Sequence, residues 1–150
     1  MRSGAVAHLG GLWAWDPTEV TSDLRALDLG GRWGVVLPYA GAPVLVRFSQ
    51  WSITPPEADI GPWTGVPKDR WASSLSQEQY VASVRRIHEH IASGEVYQVN
   101  LCRVLEADIA RSDDIVALYR ALAVGNPAPY ACMMSVPDVD LHVACASPEL

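Results

Sequence analysis

Apolar and polar positions along this chain follow two periods, and the change from one to the other divides it. Trp33-Gly34-Val35-Val36-Leu37-Pro38-Tyr39 and Val44-Leu45-Val46-Arg47-Phe48 are short runs of β-branched and aromatic residues, and they predict two strands. Ala40-Gly41-Ala42-Pro43 between them predicts a hairpin turn. Residues 54–68 hold Pro55, Pro56, Pro62 and Pro67 with Gly61 and Gly65, a stretch that can continue neither a helix nor a central strand and reads as a linker. Beyond it the period becomes helical. Ser76 and Gln79 have capping-box spacing, Tyr80, Val84, Ile87 and Ile91 share one face, and Gly94 supplies a left-handed stop.

Residues 96–105 then alternate, which predicts a strand: Tyr97, Val99, Leu101, Arg103 and Leu105 on one side, Val96, Gln98, Asn100, Cys102 and Val104 on the other. A second helix is predicted over about 113–124, with acidic residues leading, a stripe of Ile115, Leu118, Tyr119 and Leu122, and Gly125 ending it. Residues 130–136 and 141–146 read as a hairpin around Pro137-Asp138. The expectation is an α+β fold of antiparallel strands with interleaved helices, not a Rossmann arrangement. All six tryptophans lie at or before Trp71, and the boundary is placed after the linker, dividing the chain into residues 1–70 and 71–150.

Composition narrows the classes of function. With 49% hydrophobic and 19% charged residues the chain can build a packed core and is not disordered. A net charge of −6 argues against nucleic acid or an anionic membrane as the main partner, though a local site for a small anion remains compatible with it. Cys102, Cys132 and Cys145 are odd in number without C-x-x-C spacing, so reduced thiols are expected in place of a disulfide framework or zinc site. No signal peptide is read in the glycine-broken start around His8, and no apolar run approaches a membrane span. A cytoplasmic, soluble protein is the expectation.

Three segments carry candidate chemistry. Gln98 and Asn100 are amides two apart, which places them on one face of the predicted strand. From the pattern alone a polar outer face is the favoured reading, and the lining of a cleft that holds polar ligand groups is the other. Gly125-Asn126-Pro127-Ala128-Pro129-Tyr130 reads as a helix stop and a rigid loop. Ser147-Pro148-Glu149 is by itself a common turn or helix start. The histidines offer no metal helix, since His88 and His90 are two apart and point to different faces; these, His8 and His142 are expected at the surface or partly buried.

The run Ile91-Ala92-Ser93-Gly94-Glu95-Val96-Tyr97-Gln98-Val99-Asn100-Leu101-Cys102-Arg103 resembles the opening signature of the chorismate-utilising enzymes, and Ala146-Ser147-Pro148-Glu149-Leu150 resembles a second one. The resemblance covers residues 75–150, with residues 1–70 fitting loosely as the family's variable N-terminal portion. It implies an incomplete portion of that fold, with chorismate as substrate, a glutamine amidotransferase subunit or domain as ammonia source, and Mg²⁺ on the substrate carboxylate. Gln98 becomes a cleft-lining catalytic candidate, and Asn100, Ser147 and Glu149 substrate-binding candidates. Isochorismate synthases carry a lysine base at the Gln98 position, so the glutamine implies ammonia chemistry.

The Gln-Val-Asn-Leu form resembles the aminodeoxychorismate branch, where the anthranilate branch more often has valine at the Asn100 position. Asn126, Pro127 and Tyr130 match a segment bordering the family's tryptophan pocket, while Ala131 departs from the bulkier residue of feedback-inhibited members and argues against that regulation. The metal ligands, the carboxylate-binding arginine and a proposed lysine nucleophile lie further along in the family, so no metal ligand is expected within this segment and the 150 residues alone are expected to be inactive. Two alternatives stand beside this reading: the anthranilate-forming branch, or a non-catalytic truncated paralogue that binds a partner or an aromatic amino acid.

Overall fold

The computed structural model describes residues 4–57, 60–109 and 114–147. In chain order the elements are β1 (Val6–Leu9), β2 (Leu12–Thr21), β3 (Trp33–Val36), β4 (Val44–Ser52), β5 (Ala72–Ser73), α1 (Gln77–Ala92), β6 (Leu105–Glu106), α2 (Asp114–Gly125), β7 (Cys132–Val136) and β8 (Leu141–Cys145). Short 3₁₀ turns lie at Leu24–Leu29, Lys68–Arg70 and Pro137–Val139. The fold is α+β with antiparallel pairing throughout the described ladders, as the pattern predicts. Two compact units divide it: residues up to 64 together with those from 110 onward, and residues 65–109.

The first unit is a six-stranded sheet in the order β3-β4-β2-β1-β7-β8, with α2 on it. The pattern reading predicts no element over residues 4–21, and the structure places the hairpin of β1 and β2 there. Gly10 and Gly11 turn it, with φ of +56° and +79°, the positive values that a tight two-residue hairpin turn requires. Pro17 sits in β2 where that strand pairs with β4, beside a register shift between Pro17 and Glu19. A proline lacks the ladder N–H, and a bulge is where a strand tolerates one. β3 ends at Val36, two residues before Pro38, earlier than the predicted strand.

Strand alternation sorts side chains into two cores. Ala7, Ala14, Val46, Phe48, Met134 and Val136 are buried together, with Leu9, Val36, Trp51, Leu141 and Val143 packed around them. Trp13, Met133, Val116 and Tyr119 form the other, where α2 covers the sheet. The buried residues of α2 are therefore Val116, Ala117 and Tyr119, with Ile115 and Ala123 partly buried beside them; Ile115 and Tyr119 of the predicted stripe are kept, and Leu122 is exposed. Spacings of three and four allow either stripe on so apolar a helix, and packing against Trp13 and Met133 decides between them.

The second unit holds α1 and the two-stranded ladder of β5 and β6. Ser76 caps α1 as expected: its hydroxyl accepts from the Gln79 N–H, and the Gln79 side chain accepts from the Ser76 N–H. Gly94 follows the helix at φ +76°. The strand predicted over residues 96–105 is corrected: only Leu105–Glu106 is in a ladder. Next to that ladder the Ser74 N–H donates to the Val104 carbonyl at 2.9 Å, while the Val104 N–H goes to Ser74 Oγ, also at 2.9 Å, in place of a backbone carbonyl. A strand exists only where a neighbour takes its backbone groups, and alternation in the sequence supplies no neighbour.

Candidate functional site

In the first unit, the carboxyl end of α2, the loop after it and the end of β8 meet at one corner. The Asn126 N–H continues the helical pattern to Leu122 O at 2.8 Å, and its side chain turns the other way. Asn126 Nδ2 donates to the Ala146 carbonyl, one residue beyond β8. The loop 126–130 is thereby tied to the backbone just before Ser147, which brings two of the segments singled out in the sequence together. Pro127 and Pro129 restrict the loop, and the Ala131 N–H closes it on Ala128 O at 3.1 Å. Tyr130 stands 68% exposed on this loop, with Asn126 and Pro127 also exposed. Glu149 lies outside the described residues, as does Pro148.

Behind the loop, Ala131 packs against the core of Trp13, Tyr119 and Met133. There His8 and Trp13 face each other across the β1–β2 ladder with ring centroids 4.7 Å apart. Tyr119 Oη and His8 Nδ1 share a hydrogen bond of 2.6 Å, and the Arg120 guanidinium lies over Trp13 at 5.8 Å. Burial holds His8 below its ordinary value of 6.5. Burial, then the nearby Cys132 and Cys145 thiols, pushes the Tyr119 hydroxyl up from 10.0. Both groups are therefore neutral near pH 7, and the corner offers hydrogen bonds, aromatic surface and the Arg120 cation.

Sequence reasoning placed His8 apart from any site and Tyr119 in an anonymous stripe. The Gly10-Gly11 pair between apolar runs is the signal that would have put His8 opposite Trp13. Nothing local announces Tyr119, which is 111 residues from His8.

Ser135 is a second buried polar group, and its hydroxyl meets His142 Nδ1 at 2.9 Å across the β7–β8 ladder. No acid accompanies this pair among the described contacts, and the bond satisfies a buried hydroxyl. Gln98 and Asn100 lie in the second unit, exposed on the irregular run before β6. Their two-residue spacing no longer fixes a shared face, because that argument needs a strand.

Among the described residues, no group of three or more His, Cys, Asp or Glu side chains is placed to hold a metal ion. The described residues therefore do not fit a Mg²⁺ site. No described helix is long and apolar enough to cross a membrane.

A family model described as chorismate binding enzyme matches residues 53–150. Anthranilate synthase component 1 of Streptomyces coelicolor is 41% identical over 53% of this chain and 15% of its own length. Anthranilate synthase component 1 of Mycobacterium bovis is 34% identical over 99% of this chain and 27% of its own length. Aminodeoxychorismate synthase component 1 of Bacillus subtilis is 32% identical over 53% of this chain and 16% of its own length. The chain thus spans about a quarter or less of these curated relatives. No solved structure matches.

Proposed function

We propose a chemistry for this chain, which belongs to the chorismate binding enzyme family: amination of chorismate at C4 with ammonia, yielding aminodeoxychorismate for p-aminobenzoate and folate synthesis. The observation that carries it furthest is the bond from Asn126 to the Ala146 carbonyl, which draws the Asn-Pro-x-Pro-Tyr loop and Ser147 to one corner. Two segments that resemble family signatures are thereby adjacent in space although separated in sequence. Gln98 supports ammonia over water as nucleophile. A neutral carboxamide cannot take a proton from water, whereas ammonia already carries its lone pair and needs only to be held and oriented.

In this reading Gln98 lines the substrate cleft, Asn100, Ser147 and Glu149 bind chorismate, and Asn126, Pro127 and Tyr130 border an aromatic pocket. The protein works in the cytoplasm, with Mg²⁺ supplied to the substrate by residues other than the described ones. Relatives named as component 1 support a second component as partner, and a glutamine amidotransferase is the natural ammonia source.

Amination to anthranilate is the second reading. Identity to anthranilate synthase component 1 of Streptomyces coelicolor favours it, and Asn100 favours the first. The intact protein, given chorismate, ammonium and Mg²⁺, is expected to form a product that aminodeoxychorismate lyase converts to p-aminobenzoate. Anthranilate, recognised by its fluorescence, would transfer the assignment to the second reading, and isochorismate would overturn the role given to Gln98. The 150 residues alone are expected to give no turnover, and chorismate consumption by them would refute that expectation.

A further inference from the structure

Cys132 opens β7 and Cys145 closes β8, and the ladder sets the two directly opposite each other. Directly paired residues of an antiparallel ladder share a face of the sheet, with Cα separations of about 4.5–5.5 Å. That falls within the range of about 4.4–6.8 Å which a disulfide spans without backbone movement. Their surroundings differ. Cys145 is exposed, and Cys132 is half-buried. Burial, the Cys145 thiol's field and a hydrogen bond that the Cys132 S–H donates to the Cys145 sulfur all push the Cys132 thiol up, which keeps Cys132 protonated and poorly nucleophilic.

Next along the chain from Cys145 is Ala146, whose carbonyl holds the Asn126 side chain. Cys102, the remaining cysteine, is exposed in the other unit.

We infer that Cys145 and Cys132 form a hydroperoxide-reactive thiol pair, in which Cys145 is the attacking thiol and Cys132 the resolving one. In the first step the Cys145 thiolate sulfur attacks the peroxide O–O bond. The S–O bond forms, the O–O bond breaks, and the departing hydroxide takes up the thiol proton to leave as water. The Cys132 sulfur then attacks the Cys145 sulfenic sulfur: the S–S bond forms, the S–O bond breaks, and the hydroxide leaves with the Cys132 proton as a second water. Two thiols are oxidised, one peroxide is reduced to two waters, and the product is a Cys132–Cys145 disulfide that a dithiol reverses. The bridge would staple the open end of the β7–β8 hairpin beside the Asn126–Ala146 corner. This inference stands on the ladder and holds whatever reaction the protein catalyses.

The test treats the reduced intact chain with one equivalent of hydrogen peroxide, alkylates the remaining thiols, cleaves at aspartate, and reads the fragments by mass spectrometry. Cleavage at Asp138 or Asp140 separates the two cysteines. The expected result is a Cys132-containing fragment linked to a Cys145-containing one, with Cys102 alkylated, and restoration of all three thiols by dithiothreitol. In Cys132→Ser, a 1,3-dione should trap sulfenic acid at Cys145. In Cys145→Ser, peroxide oxidation of Cys132 should be about tenfold slower or more, since the half-buried thiol is less accessible and the poorer nucleophile. Alkylation of both cysteines after peroxide would overturn the inference. So would sulfinic acid at Cys145 without linkage, or a bridge to Cys102 or to a second molecule. The wild-type linkage measurement decides the matter even if a variant fails to fold.

Discussion

A methyl group on Gly34 would lie 2.9 Å from Met134 Sδ, 3.1 Å from Phe48 and 3.2 Å from Leu9. Those neighbours come from three other strands, so Gly34 is where the curled sheet closes on its own face. Gly34→Ala should cost about 1–3 kcal/mol through overpacking, read as a lower urea midpoint with an unchanged slope. The His8–Tyr119 contact makes a different prediction. His8 is held below 6.5 by burial, so the unfolded chain binds its proton first as pH falls. The contribution of neutral His8 to stability is present above pH 6.5 and is lost as pH falls through the folded value. Melting temperatures taken from pH 7.5 to 5 should therefore fall more steeply for the wild type than for His8→Gln, and equal slopes would refute the assignment. The Ser76–Gln79 box could be read directly because both partners lie within one turn. His8, Trp13 and Tyr119 could not, because their contact depends on a hairpin and a helix that meet only after folding.

Among elements, those specified by their own residues and the hairpins of β3–β4 and β7–β8 matched the pattern, while elements whose form is set by distant neighbours did not. α1 has its cap and its glycine in the sequence, and it forms with no buried residue of its own. Its stability therefore rests heavily on local terms. Ser76→Ala should remove about 1 kcal/mol, seen as loss of helical circular dichroism at lower temperature, with the fold of the sheet unaffected. The strand expected over 96–105 has the right alternation, but its ladder is confined to β5, with the Ser74–Val104 bonds beside it, so it shrinks to two residues. α2 has the right ends and a differently oriented face, because several apolar stripes were available and the sheet chose one. The candidate site divides in the same way. The loop 126–130 was legible from its glycine and prolines, while its attachment to Ala146 was not, since an asparagine's choice of acceptor is a tertiary fact.

At the scale of the molecule, the sheet consists of two locally connected blocks. β3, β4, β2 and β1 come from residues 6–52, and β7 and β8 from residues 132–145, with the whole second unit lying between them in sequence. One seam joins the blocks, the pairs Val6↔Ser135, Ala7↔Met134 and His8↔Met133. Both cores are completed there, since Ala7 and Met134 belong to one and Met133 to the other. The family could be recognised from short motifs without any of this, because motifs record chemistry and the seam records assembly.

That seam also sets an order in time. The first block can pair as soon as its residues are synthesised, but one edge of β1 must wait until more than a hundred further residues have emerged. Its closure entropy grows only slowly with that distance, yet contacts so far apart are made late, and they govern the folding rate. During that wait the most N-terminal strand offers an open edge to any other chain in the same state. Folding of this sheet is thus a race between its own seventh strand and a neighbour's first.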